Sequence, residues 1–154
     1  MSLINAQEEH GHQQSRNEIG FGILALYSLG HDDLGIGVHL HYFRTLKLNS
    51  KWSLGGGIEQ AWIDGCHINV GTGVKYQLFD RLSLGLMPGV TIFSHNKTEV
   101  AYQHEYPKVR FTLHYELAYE LFHWEHFHLG IACDYSQTKD DSHVAGGIHI
   151  AFCF

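Results

Sequence analysis

Leu34-Gly35-Ile36-Gly37-Val38-His39-Leu40-His41-Tyr42 alternates with a period of two. Leu34, Ile36, Val38, Leu40 and Tyr42 fall on one side of an extended chain, and Gly35, Gly37, His39 and His41 on the other. Successive side chains of a strand point to opposite faces. The stretch is therefore a strand with one aliphatic face and one face of glycine and histidine. Solvent faces of soluble strands usually carry Lys, Glu and Thr. The glycine-histidine face fits that role poorly, so the fold turns on which face lies inside.

The same period runs from Asn17 onward almost without interruption. It predicts strands near 17–28, 33–43, 52–62, 67–78, 82–94, 107–121, 127–137 and 143–154. Each has one apolar face: Ile19, Phe21, Ile23, Ala25 and Tyr27 in the first, for example, and Val109, Phe111, Leu113, Tyr115, Leu117, Tyr119 and Leu121 in the sixth. Gly30-His31-Asp32-Asp33, Asp64-Gly65, Asp80-Arg81 and Lys139-Asp140-Asp141 supply turn chemistry between neighbours. The longest link is about 95–106, ending before Pro107. Eight similar strands with short links predict an all-β, up-and-down antiparallel meander closed into a barrel.

The second face carries Glu18, Gly20, Gly22, Gly35, Gly37, His39, His41, Gly55, Gly57, Glu59, Gly71, Gly73, Lys75, Arg110, Thr112, His114, Glu116, Glu120, His128, Gly130, Asp134, Gly147 and His149. A soluble eight-stranded barrel would expose this glycine-rich, lysine-poor face to water. Glycines and small polar groups suit a narrow lumen instead, where charges can pair. The aliphatic face then meets lipid. Tyr27, Tyr42, Trp52, Trp62, Tyr76, Tyr135, Phe152 and Phe154 sit near strand ends, where interfacial aromatic girdles belong.

Composition agrees. The 154 residues suggest one domain. Lys+Arg is 10 against Asp+Glu at 16, a net charge of -6, so a basic nucleic-acid footprint is absent. Only 17% of residues are charged, below the roughly 25% of ordinary soluble domains. No run of about 20 apolar residues supports a membrane helix, whereas a membrane strand needs only about 10. Cys66, Cys133 and Cys153 form no CxxC motif and are expected as free thiols, Cys133 toward lipid and Cys153 toward the lumen.

The C-terminal stretch Gly147-Ile148-His149-Ile150-Ala151-Phe152-Cys153-Phe154 alternates and closes on an aromatic residue. It resembles the terminal β-signal of Gram-negative outer-membrane barrels, with Phe154, Phe152, Ile150 and Ile148 in the matching places. Residues 17–154 resemble small eight-stranded outer-membrane proteins of the OmpA-domain type. The resemblance implies insertion by the barrel-assembly machinery, outer-membrane lipid as the surroundings and a cell outer-membrane location. It also implies both termini on the periplasmic side. Residues 1–7 read as a signal-peptide remnant with Ala6 before the cleavage point, and 8–16 as a flexible, histidine-bearing lead-in.

Counting from the turns places His114 opposite Asp134, Glu120 opposite His128, His39 and His41 beside Ser53 and Gly55, and His149 across from Gly22. The expected lumen network is Glu18, His39, His41, Glu59, Lys75, Arg110, His114, Glu116, Glu120, His128, Asp134 and His149. Ser142-His143 beside Asp140 and Asp141 could imitate a hydrolytic set, but turn chemistry accounts for it. His10 and His12 are weak metal candidates, and His123, His126 and His128 read as solvated turn histidines. No cofactor, nucleic-acid partner or catalytic residue is expected, and a closed barrel needs no second copy to cover its edges. The expected function is a non-catalytic, structural outer-membrane protein. A narrow pore for ions or small solutes, a soluble lipocalin-like binder and a lipid-modifying barrel enzyme remain the alternatives.

Overall fold

The computed structural model describes residues 16–30, 32–63, 65–94, 108–139 and 141–154. The expected leader remnant 1–7, His10 and His12 in the lead-in, and the long link 95–106 lie outside the described residues. The strands are β1 (Asn17–Ser28), β2 (Leu34–Thr45), β3 (Trp52–Trp62), β4 (Cys66–Phe79), β5 (Leu82–Ser94), β6 (Lys108–His123), β7 (Phe127–Gln137) and β8 (Ser142–Cys153). The sequence reading has the bounds of β1, β3, β5 and β7, and differs by one or two residues at the ends of the others. Each strand pairs antiparallel with its neighbours in chain order, and β8 returns to β1 to close a barrel. Strands of 11 to 16 residues exceed the about 9–11 needed to cross a bilayer at a tilt.

The closing seam runs in register from Glu18 opposite Cys153 to Ser28 opposite His143. At its lower end, the Asn17 N–H donates to the Phe154 carbonyl at 3.0 Å, and the Phe154 N–H donates back at 2.9 Å. The Asn17 side-chain amide adds a third bond to the same carbonyl at 3.1 Å. Among the described strands, no edge is left for another chain to pair with. At the other end of the barrel, Gly65 takes φ 120° in the β3–β4 link, a conformation that side chains other than glycine rarely adopt. Two register shifts, between Gln77 and Phe79 and between Glu120 and Phe122, both fall at the lower end. Bulges are common at barrel rims, where they end the pairing.

Polarity is inverted relative to a soluble barrel. Ile23, Ile36, Phe111 and Ile148 are about 60% exposed on the outer surface, while His41, His114 and Thr112 are at most 3% exposed inside. Phe127, Phe152 and Phe154 form a run of ring contacts on the outside at the lower end, and exposed Trp52, Phe79 and Trp124 stand at the same end of the barrel. Ile148 and Ile150 continue this outward face up β8.

The lumen is not polar throughout. Leu24, Leu26, Ala61 and Ile63 form a buried apolar cluster with Ala145 packed against it. It sits at the end that carries the β1–β2 and β3–β4 links. The sequence reading places only polar and small residues inside, so this plug corrects it. Leu24 and Leu26 continue the inward parity of Glu18, Gly20 and Gly22, but the run Ile23-Leu24-Ala25-Leu26-Tyr27 is apolar on both faces, so a reading by polarity passes over them.

The depth of the outer apolar belt is testable. Leu40 lies midway along β2 and Leu34 at its upper end, and both face outward. Leu40→Arg is expected to cost about 2–4 kcal/mol and Leu34→Arg about 0–1 kcal/mol. Urea unfolding of the barrel in liposomes measures both; equal costs at the two positions would contradict the assigned belt.

Candidate functional site

Polar side chains fill the bore in three groups, each set by strand parity. The first centres on β1. Glu18 points inward, and the Lys75 ammonium from β4 donates to its carboxylate in a short ion pair. The same oxygen lies 3.2 Å from His41 Nε2 on β2. Lys75 also stands over the Phe43 ring, 5.3 Å from its centre. His39, His41 and His149 gather just above, with ring centres 4.9–5.6 Å apart.

The middle group is acidic. His114 on β6 has its Nε2 3.4 Å from an Asp134 oxygen on β7 and its Nδ1 2.7 Å from the Ser136 hydroxyl. Glu59 on β3 reaches toward both His114, at 3.9 Å, and His143 on β8, at 3.6 Å. Glu116 lies beside Asp134 in register. All four of His114, Glu59, Glu116 and Asp134 are buried. Three carboxylates in so little water need every available partner, and His114 is the imidazole that Glu59 and Asp134 share as an ion-pair neighbour. Thr91 and Thr112 bond to each other across β5 and β6 and complete this layer.

The third group lies at the lower rim. Glu120 holds two imidazoles, His123 Nδ1 at 2.8 Å and His128 Nδ1 at 2.5 Å. Arg110, the remaining expected lumen cation, is half-buried on β6 opposite Thr91.

The expected pairings fare unequally. His149 opposite Gly22 is observed. His114 is opposite Ser136, and it meets Asp134 one step along the strand. Glu120 is opposite Gly130 but still reaches His128. His39 pairs with Glu59 and His41 with Gly57, rather than with Ser53 and Gly55. The six-residue link between β2 and β3 holds extra turn residues, so counting from its centre misplaces the register. His67 and His143 also face inward; the parity of Ile68 and Val144 places them there, but the sequence reading took His143 with the turn residues and left His67 out of the lumen set.

Ser142 and His143 open β8 and are not part of the link. Adjacent strand residues point to opposite faces. His143 turns inward to Glu59, so it cannot activate the Ser142 hydroxyl. Asp140 lies outside the described residues. Cys66, Cys133 and Cys153 are free cysteines, with Cys133 exposed on the outer face and Cys153 buried as expected. Cys66 opens β4 and accepts a bond from the Gln60 amide at 3.5 Å.

No family model and no curated protein sequence matches the chain. Solved structures do. Ail, the attachment invasion locus protein of Yersinia pestis, solved with the heparin analogue sucrose octasulfate, aligns with TM-score 0.59 at 16% identity, over 92% of this chain and 99% of that one. The N-terminal β-barrel domain of Pseudomonas aeruginosa OprF aligns with TM-score 0.57 at 12% identity, over 92% and 100%. A de novo designed transmembrane β-barrel aligns with TM-score 0.54 at 16% identity, over 92% and 98%. The fold is that of a small outer-membrane β-barrel. Such a transmembrane barrel, with eight strands and its apolar face outward, is what the period-two pattern of β2 predicts.

The shared imidazole gives a second test. Removing His114 leaves Glu59, Glu116 and Asp134 facing one another without it. His114→Ala is expected to destabilise the barrel by about 3–5 kcal/mol, the usual cost of orphaning a buried charge partner. The urea midpoint in detergent micelles reads it out. A cost below about 1 kcal/mol would mean that the carboxylates find other donors.

Proposed function

We propose that this chain is an integral outer-membrane protein of structural, envelope-maintaining type that performs no catalytic step. One observation carries the reading. The described outer face is apolar, while inward side chains occupy most of the bore, with the Leu24–Leu26–Ile63 plug at the upper mouth, ion-paired groups beneath it and a small cavity among them. A largely filled bore suits a protein whose working parts are its wall and its rims. The resemblance of the last strand to the terminal β-signal supports insertion by the barrel-assembly machinery, with Phe154, Phe152, Ile150 and Ile148 as the recognised residues. The closed seam supports a monomer in outer-membrane lipid. The upper links 29–33, 63–65 and 138–141 are short in sequence and offer little surface for adhesion.

The pore reading is weakened by the same packing. The cavity beside His39, His41, Glu59 and His114 measures only about 20 Å³, room for about one water. The enzyme reading loses its serine-histidine pair to strand parity. The lipocalin-like reading needs the aliphatic face inside, and that face is outside.

Refolding into detergent or liposomes tests the proposal. Heat-dependent gel mobility, β-type circular dichroism and aggregation without detergent are expected. Planar-bilayer recordings are expected to show no steady conductance. A soluble monomer without detergent would overturn the membrane assignment, and steady single-channel currents would replace the structural role with the pore.

A further inference from the structure

We propose that His39, His41 and His149 form a binding site inside the lumen for a divalent transition-metal ion, with zinc(II) the best match. The site needs only the closed barrel, and it does not depend on the envelope role.

Strand pairing builds it. His39 and His41 are two residues apart on β2 and point inward together. His149 points inward from β8. β1 runs between those two strands, and its facing positions are Gly20 and Gly22. Gly22 is the register partner of both His39 and His149, and Gly20 is the partner of His41. A Cβ on Gly20 would lie 2.2 Å from His41 Nε2 and 2.4 Å from His149 Nε2. A Cβ on Gly22 would lie 2.3 Å from His39 Nε2. The three imidazoles therefore lean over β1 from both sides, into space that only glycine leaves open.

The result is a converging set of nitrogens. One ring nitrogen from each histidine lies within 4.8 Å of the other two. Ligands of a tetrahedral ion with Zn–N distances of about 2.0–2.1 Å stand roughly 3.3 Å apart, and small ring rotations cover the difference. His39 Nε2 and His149 Nε2 are buried and have no hydrogen-bond partner. Their residues are 6% and 9% exposed. Unpartnered polar atoms at this depth are costly, and a shared cation would satisfy both.

The neighbours complete the coordination. Glu18 Oε1, 3.2 Å from His41 Nε2, stands at the distance of an adjacent ligand of the same ion. Glu59 faces His39 in register from β3, and Glu116 reaches the adjoining cavity from β6. Lys75 from β4 opposes the ion's charge and balances these acids through its pair with Glu18. The adjoining cavity can hold the water that often takes the fourth position of a three-histidine site. Imidazole nitrogens select zinc, copper and nickel over magnesium and calcium, which prefer oxygen. The other two acid-histidine groups are poorer candidates. There His123 and His128 already bond Glu120, and His114 bonds Ser136 and meets Asp134, whereas in the proposed site only His41 has such a partner.

The test uses the full chain refolded in detergent and stripped with a chelator. Titration calorimetry with zinc(II) should give one lumen equivalent. His39→Gln and His149→Gln should each weaken it by at least roughly tenfold, since even changes behind the ligands cost about 10–100-fold. The pairs His10→Ala/His12→Ala and His123→Ala/His126→Ala should leave it unchanged. Each variant must retain the heat-dependent gel shift. Zinc X-ray absorption of the unaltered protein provides a readout that needs no variant, and it should show three imidazoles. Absence of saturable binding, binding that survives His39→Gln and His149→Gln, or a shell with fewer than two imidazoles would each overturn the proposal.

Discussion

In hydrocarbon, a backbone N–H or carbonyl has no water to bond, so each must find a partner within the chain. That demand governs everything else in this structure. A sheet meets it only by closing, and closure brings β8 against β1 through the full run from Glu18–Cys153 to Ser28–His143. Closure then fixes parity. Once one residue of a strand faces lipid, every second residue must, and the rest must fit a narrow bore. The glycines of β1, β3 and β4 are how the sequence meets the space limit, and the ion pairs are how it meets the charge limit.

The strong period-two signal made the strands and the inside-outside assignment legible, because the constraint acts on every residue of every strand. Register was less legible. His149 opposite Gly22 could be counted from the closing seam, whereas His39 opposite Glu59 could not, because the β2–β3 link hides how many residues belong to the turn. The bulge between Glu120 and Phe122 likewise leaves no mark in the alternation. The apolar plug was invisible for a different reason. Leu24 and Leu26 share the inward parity of Gly20 and Gly22, but they stand between equally apolar neighbours, and a reading by polarity passes over them.

The same register explains how the lumen specifies one structure. A slip of one residue between β1 and β2 would turn His39 and His41 into lipid and Leu40 into the bore. Glu18 would then lose His41, and the ion pair with Lys75 would lose its neighbour. A shift of two keeps the faces but breaks the match of imidazoles to Gly20 and Gly22, where a side chain from any other residue would collide with a ring. The polar interior thus penalises the alternatives more than it stabilises the native form, which is a role buried charges fill in some other proteins.

The seam also has a consequence in time. Asn17 and Phe154, joined by backbone bonds in both directions, are 137 residues apart in the chain. β1 is synthesised first, yet one of its two edges stays unsatisfied until β8 exists. Intermediate hairpins can form as they emerge, but none can enter lipid as a finished wall. Contacts of such long separation are slow to form. The nascent polypeptide must therefore stay unpaired at that edge, and shielded from itself, for the whole interval between translation of its first strand and its last.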